Sequence, residues 1–275
     1  MIGAILGVGA AILIGLSDLF GRRVTLRSNA ITSSSTMQAF GAISVLLSLV
    51  FWPGTFSGRD ALLGALSGAG FATGLCCYYL GLTRNSSAVV APVAAVLSAL
   101  IPFGWAITRG VQVSGVALLG AALALLGLGV VTTTKTPQVP ITTGVQLGLL
   151  AGLGYGVGQA VLLDIAATAG PIAIASQRVI AFGLMIPLAL VTNNRVMAPP
   201  GSKRWGLLAG ICVSAASIAF FQGLRFDPIA TVIGISLFPV FSVVVGRIQY
   251  QDALTRKQAI GIACAVVGII GVVAG

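Results

Sequence analysis

The chain has 275 residues, 57% of them hydrophobic and only 7% charged, with a mean hydropathy of +1.07. An average soluble domain carries about 25% charged residues, so a soluble globular enzyme is excluded. His and Glu are absent, which removes most zinc sites and every Ser-His-Asp arrangement. Lys and Arg number 15 against 5 Asp, a net charge of +10. These bases stand singly or in pairs between apolar runs, with no basic stripe. Nucleic acid is therefore not an expected partner, and the pattern fits the positive-inside bias of short membrane loops.

A membrane-crossing helix needs about 20 apolar residues. Punctuation by Gly, Pro, Asn and charge predicts spans near 2–20, 31–51, 60–82, 87–108, 112–131, 143–163, 171–192, 204–225, 229–247 and 256–275. The first has no basic leader and reads as a span, not a signal peptide. The longest connections, 132–142 and 193–203, are too short for a soluble domain. Continuous apolar runs also argue against a β-barrel, whose strands alternate. The expected fold class is an all-α membrane protein with ten transmembrane helices. Cys76, Cys77, Cys212 and Cys264 lie within apolar runs and imply no disulfide framework. No metal and no cofactor are expected.

A shift of 142 residues brings the two halves into phase without a gap across spans two to five. Ala39-Phe40-Gly41 meets Ala181-Phe182-Gly183, Gly64 and Gly68 meet Gly206 and Gly210, and Gly129-Val130-Val131 meets Gly271-Val272-Val273. The expected units are 1–134 and 143–275. Five spans per unit is an odd number, so the two copies must lie in opposite orientations. That is the inverted-repeat design of secondary transporters, with a site near the midplane.

The stretch 228–273 contains Pro239, Asp252, Leu254-Thr255, Gln258, Gly261 and Gly268 in order. This set resembles the EamA-type repeat of the drug/metabolite transporter superfamily, and 86–100 is similar to the same region. The first half departs from it, with Leu97 opposite Pro239 and Gly110 opposite Asp252. The resemblance implies ten helices and transport of a small metabolite across a prokaryotic inner membrane. It implies no single substrate, since members handle amino acids, sugars, nucleobases, nucleotide derivatives and drugs.

Polar groups inside spans are costly in lipid and mark candidate sites. Arg178 lies about seven residues into the seventh span beside Ser176 and Gln177. It is read either as a cavity cation for a carboxylate or phosphate, or as a snorkelling interfacial residue. Tyr155 and Gln159 stand i, i+4 on one helix face. Tyr78, Tyr79 and Thr73 in span three occupy places related to Gln222, Ser214 and Ser217 in span eight. Gln38 and Thr36 in span two and Ser236 in span nine complete the set. Pro92 and Pro239 are the gate candidates, since each removes a backbone donor. Gly152 and Gly156 continue a row begun at Gly148, which allows close helix approach and a sliding surface.

No span holds a central carboxylate in this reading. Asp18 stands one turn from Arg22, where a local ion pair is expected. Small multidrug-resistance proteins, which resemble this superfamily, use a carboxylate in their first helix, so a lipophilic-cation substrate is disfavoured here. Odd-numbered loops hold eleven bases and even-numbered loops three, which puts the odd loops in the cytoplasm. The resemblance implies the reverse. The expected activity is carriage of amino acids or related carboxylates. The alternatives are a sugar or nucleobase carrier, a drug exporter or a lipid flippase. An enzyme is not expected, and partners are limited to a small-molecule substrate and the bilayer. Oligomeric state is left open.

Overall fold

A computed structural model describes residues 2–110, 112–133, 141–226, 231, 234–235 and 237–274. These form ten α-helices: α1 (Ile2–Arg27), α2 (Ala30–Phe51), α3 (Gly58–Arg84), α4 (Ser87–Thr108), α5 (Gly115–Thr133), α6 (Ile141–Leu162), α7 (Pro171–Val191), α8 (Pro200–Phe226), α9 (Phe238–Tyr250) and α10 (Arg256–Ala274), with one 3-10 turn at Ala167–Ala169. No strand occurs among the described residues. Seven helices are long and apolar enough to cross a membrane, and Gly115–Val131 is a shorter apolar helix. Helices satisfy their own backbone groups, which hydrocarbon demands. The protein is an all-α membrane protein.

Local chemistry sets several helix ends. Asn29 caps α2 by accepting the Thr32 backbone N–H at 2.8 Å. The Thr255 and Gln258 of the repeat-like stretch form a capping box that starts α10. Gln258 N–H donates to the Thr255 hydroxyl at 3.1 Å, and Thr255 N–H donates to the Gln258 side chain at 3.0 Å. Gln251 closes α9 in the left-handed conformation, φ 53°. The first helix runs to Arg27, seven residues past the expected end at 20. Gly21-Arg22-Arg23 reads as punctuation in sequence, yet Gly21 and Arg22 are both buried by tertiary neighbours.

Bonds between connections sort by parity. Asn29 donates to Asn194 at 2.9 Å, joining the first and seventh connections. Ser86 donates to the Ala253 carbonyl at 3.3 Å, joining the third and ninth. Thr55 N–H donates to the Thr168 carbonyl at 2.9 Å, joining the second and sixth. The first, third, seventh and ninth connections therefore share one end of the bundle and the second and sixth the other, as an alternating up-and-down path requires.

The main packing contacts come in matched sets. Helix α1 packs on α8 as α6 packs on α3. Helix α2 packs on α8 as α7 packs on α3, and α1 packs on α9 as α6 packs on α4. The pairs α2–α7 and α5–α10 map onto themselves. Small residues permit the close crossings. A Cβ on Gly152 would lie 2.7 Å from Leu97 Cβ, and one on Gly156 would lie 2.6 Å from Ile101 Cδ1, both on α4. On the matching face of α1, a Cβ on Gly15 would lie 2.8 Å from Phe241 Cβ of α9.

Candidate functional site

Side chains from every helix except α5 converge on a central cavity of about 150 Å³. An apolar cavity of that size accepts a benzene-sized molecule, so this one suits a compact solute. Its wall is mostly apolar. Its polar groups are Ser17, Asp18, Gln38, Tyr78, Ser98, Tyr155, Gln159 and Arg178.

Arg178 comes from α7 and is 1% exposed. It does not snorkel. It donates to the Gln38 side-chain oxygen at 3.0 Å and to the Ser217 hydroxyl at 2.6 Å, and lies 5.8 Å from the Phe71 ring centroid. All these partners are neutral. Among the described residues no carboxylate lies within ion-pair distance of it. Arg178 Nε and Gln38 Nε2 are buried donors without a hydrogen-bond partner among those residues. Unspent donors on a buried cation are what an anionic ligand would require, because burying an uncompensated charge is costly.

Asp18 faces the same cavity from α1. Its carboxylate accepts the Tyr78 hydroxyl at 2.9 Å and the Ser242 hydroxyl of α9. The local Asp18–Arg22 ion pair expected from the sequence is absent, because Arg22 turns away to Asp252 and binds it through both Nη atoms at 2.8 and 2.9 Å. The cavity therefore holds a carboxylate that the sequence reading assigned elsewhere. Tyr155 packs beside Tyr78 and Phe71, with ring centroids 6.0 and 5.4 Å away, and extends the aromatic wall.

Of the candidates named from sequence, Arg178, Gln38, Tyr78, Tyr155 and Gln159 line the cavity. Others do not. Gln177 points to α3 and donates to the Ser67 hydroxyl at 2.7 Å. Ser176 faces Gly64 on the same helix. Tyr79 is buried outside the cavity, where its hydroxyl reaches the Ser17 carbonyl at 3.2 Å and Met37 Sδ at 2.8 Å. Gln222 accepts from Arg225 at 3.3 Å. Adjacent residues on a helix point about 100° apart, so Gln177 and Tyr79 turn away where their neighbours turn inward. Ser236 lies outside the described residues. Pro92 is buried within a continuous α4 and does not line the cavity. Pro239 occupies the first turn of α9, where a missing N–H costs nothing, just after helical residues at 231 and 234–235 and a turn at Leu237. Ser17, Ser98, Met37 and Phe71 were not singled out. Isolated serines and apolar residues in hydrophobic helices carry no sequence signal of their own.

Residues 142–274 match the model of the EamA-like transporter family. This second half of the chain is similar to that family. That family lies within the drug/metabolite transporter superfamily of membrane transporters. One solved crystal structure, described only as "Crystal structure of protein", is 17% identical. It covers 98% of this chain and 96% of its own, with a TM-score of 0.67, which shows a shared fold. No curated protein matches the chain.

Proposed function

We propose that the protein is a secondary transporter of amino acids and related small carboxylates. It works by alternating access between two inverted five-helix units, 1–134 and 143–275, in a prokaryotic inner membrane. The observation that carries the substrate class is Arg178: a buried cation facing the cavity, held by neutral partners, with an unspent donor. Asp18 lines the same cavity. The site thus offers one group to a carboxylate and another to an ammonium, as a zwitterion requires. The matched packing of the two helix sets supports the repeat reading.

Asp18 lines the cavity, so the lack of a central acid no longer disfavours lipophilic cations. What now disfavours them is Arg178, whose positive charge shares their cavity. The test is a thermal-shift screen of purified protein against amino acids, organic acids, sugars, nucleobases and lipophilic cations. A ligand that binds only the folded state raises stability in proportion to the logarithm of concentration over affinity. Stabilisation by amino or organic acids that is lost in Arg178→Ala supports the proposal. Stabilisation by uncharged sugars or nucleobases alone overturns the substrate class.

A further inference from the structure

Two ion pairs bracket the cavity. Arg22 on α1 holds Asp252, in the connection between α9 and α10, and both side chains are 9% exposed. Asp252 also accepts the Ser87 backbone N–H at 3.0 Å and the Ser87 hydroxyl at 2.7 Å. The Arg22 guanidinium lies 4.3 Å from the Tyr250 ring centroid. This cluster therefore ties α1, the start of α4 and the end of α9 together at the odd-connection end. Gly246 makes room for it, since a Cβ there would lie 2.0 Å from the Ser87 hydroxyl oxygen.

At the even-connection end, Arg109 after α4 donates to Asp164 after α6 at 2.6 Å. Their side chains are 56% and 20% exposed. The 142-residue shift carries Asp252 onto Gly110, the neighbour of Arg109, and the 141-residue register that matches Gly15 with Gly156 carries Arg22 onto Leu163, the neighbour of Asp164. The two pairs thus stand within one residue of equivalent places, with their charges exchanged, one at each end. Each pair also stands close in sequence to a cavity residue. Asp18 is one turn before Arg22, and Gln159 precedes Asp164 by five residues.

We infer that these pairs are the two gates of the transporter. Arg22–Asp252 seals the odd end in the conformation seen here. Arg109–Asp164 is the counterpart that becomes buried and seals the even end when the odd pair parts. The asymmetry in burial carries the assignment: an ion pair in a tight desolvated cluster holds its helices together, whereas an exposed one contributes little. This inference rests on the alternating-access reading above, and it adds which residues perform the exchange.

The test is distance measurement between spin labels in the full chain without substrate. Cys76, Cys77, Cys212 and Cys264 are replaced. Labels go at Ser28 with Gln251 for the odd end, and at Thr108 with Thr168 for the even end; all four positions are exposed. The expected result for Asp252→Asn is a longer Ser28–Gln251 distance together with a shorter Thr108–Thr168 distance. Unchanged distances, or both lengthening together, overturn the inference. Asp164→Asn removes the more exposed pair and so bears less on folding. It should lengthen only the even-end distance, and opening of the odd end instead would contradict the assignment. Reciprocal movement without any ligand stabilisation would sink the carboxylate reading alone. Static distances with intact ligand stabilisation would sink the gates alone.

Discussion

Asp18 accepts the Tyr78 hydroxyl at 2.9 Å although Arg22 lies one turn away on the same helix. The acid is thereby held on the cavity wall by neutral donors from α3 and α9, and the nearest base on its own helix is engaged elsewhere. Such a carboxylate is available to a ligand ammonium.

A pH dependence follows. An ammonium group binds the ionised form of Asp18, so affinity for a zwitterion should fall as the pH is lowered through the titration of Asp18. Asp18→Asn should weaken zwitterion binding at neutral pH and flatten this acid limb, while leaving a simple carboxylate bound. Calorimetric titration over a pH series checks it. A retained acid limb in Asp18→Asn would assign the titration to another group.

The two neighbouring tyrosines should separate cleanly. Tyr78 faces the cavity and Tyr79 does not. Tyr79→Phe removes a buried hydrogen bond and should cost about 0.5–1.5 kcal/mol of stability with ligand affinity unchanged. Tyr78→Phe should alter affinity, because it frees one acceptor position on Asp18. Melting curves with and without ligand distinguish the two effects.

The glycine rows make a steric prediction. Gly152→Ala drives a methyl group to 2.7 Å from Leu97 Cβ and 2.9 Å from the Ala94 carbonyl. Overpacking of that kind costs about 1–3 kcal/mol, so the melting temperature should drop. Gly183 has nothing within 4 Å of a built Cβ. Gly183→Ala should therefore melt at or above the parent temperature. Equal destabilisation of both variants would contradict the close α4–α6 contact.

Membrane orientation is open to direct reading. The eleven-to-three distribution of bases predicts that the odd connections face the cytoplasm. A cysteine at Ser28 should then resist an impermeant thiol reagent added outside intact cells, and one at Thr168 should react. The opposite pattern would place the charge excess outside.

Helix number and order were legible in the sequence because about 20-residue apolar runs separated by Gly, Pro and charge have one physical solution in lipid. That Arg178, Tyr155 and Gln159 line a common cavity was legible because a polar group in such a run needs a polar surrounding. Asp18 was misread for a local reason. The i, i+4 spacing to Arg22 favours pairing on an isolated helix. It competes with Asp252, 230 residues away, which offers both oxygens to both Nη atoms. No local spacing reports that contact. Ser176, Gln177 and Tyr79 lie off the cavity wall because neighbours in sequence diverge on a helix. Pro239 opens α9 just after a turn at Leu237, a place that sequence spacing alone does not distinguish from a helix interior.

The most direct measurement is ligand-induced stabilisation of the wild type, Arg178→Ala and Asp18→Asn proteins by one α-amino acid series and its matching deaminated acids. Amino acids should stabilise the wild type, Arg178→Ala should lose the effect of both series, and Asp18→Asn should lose mainly that of the amino acids. Full stabilisation of Arg178→Ala by the same ligands would contradict the carboxylate assignment.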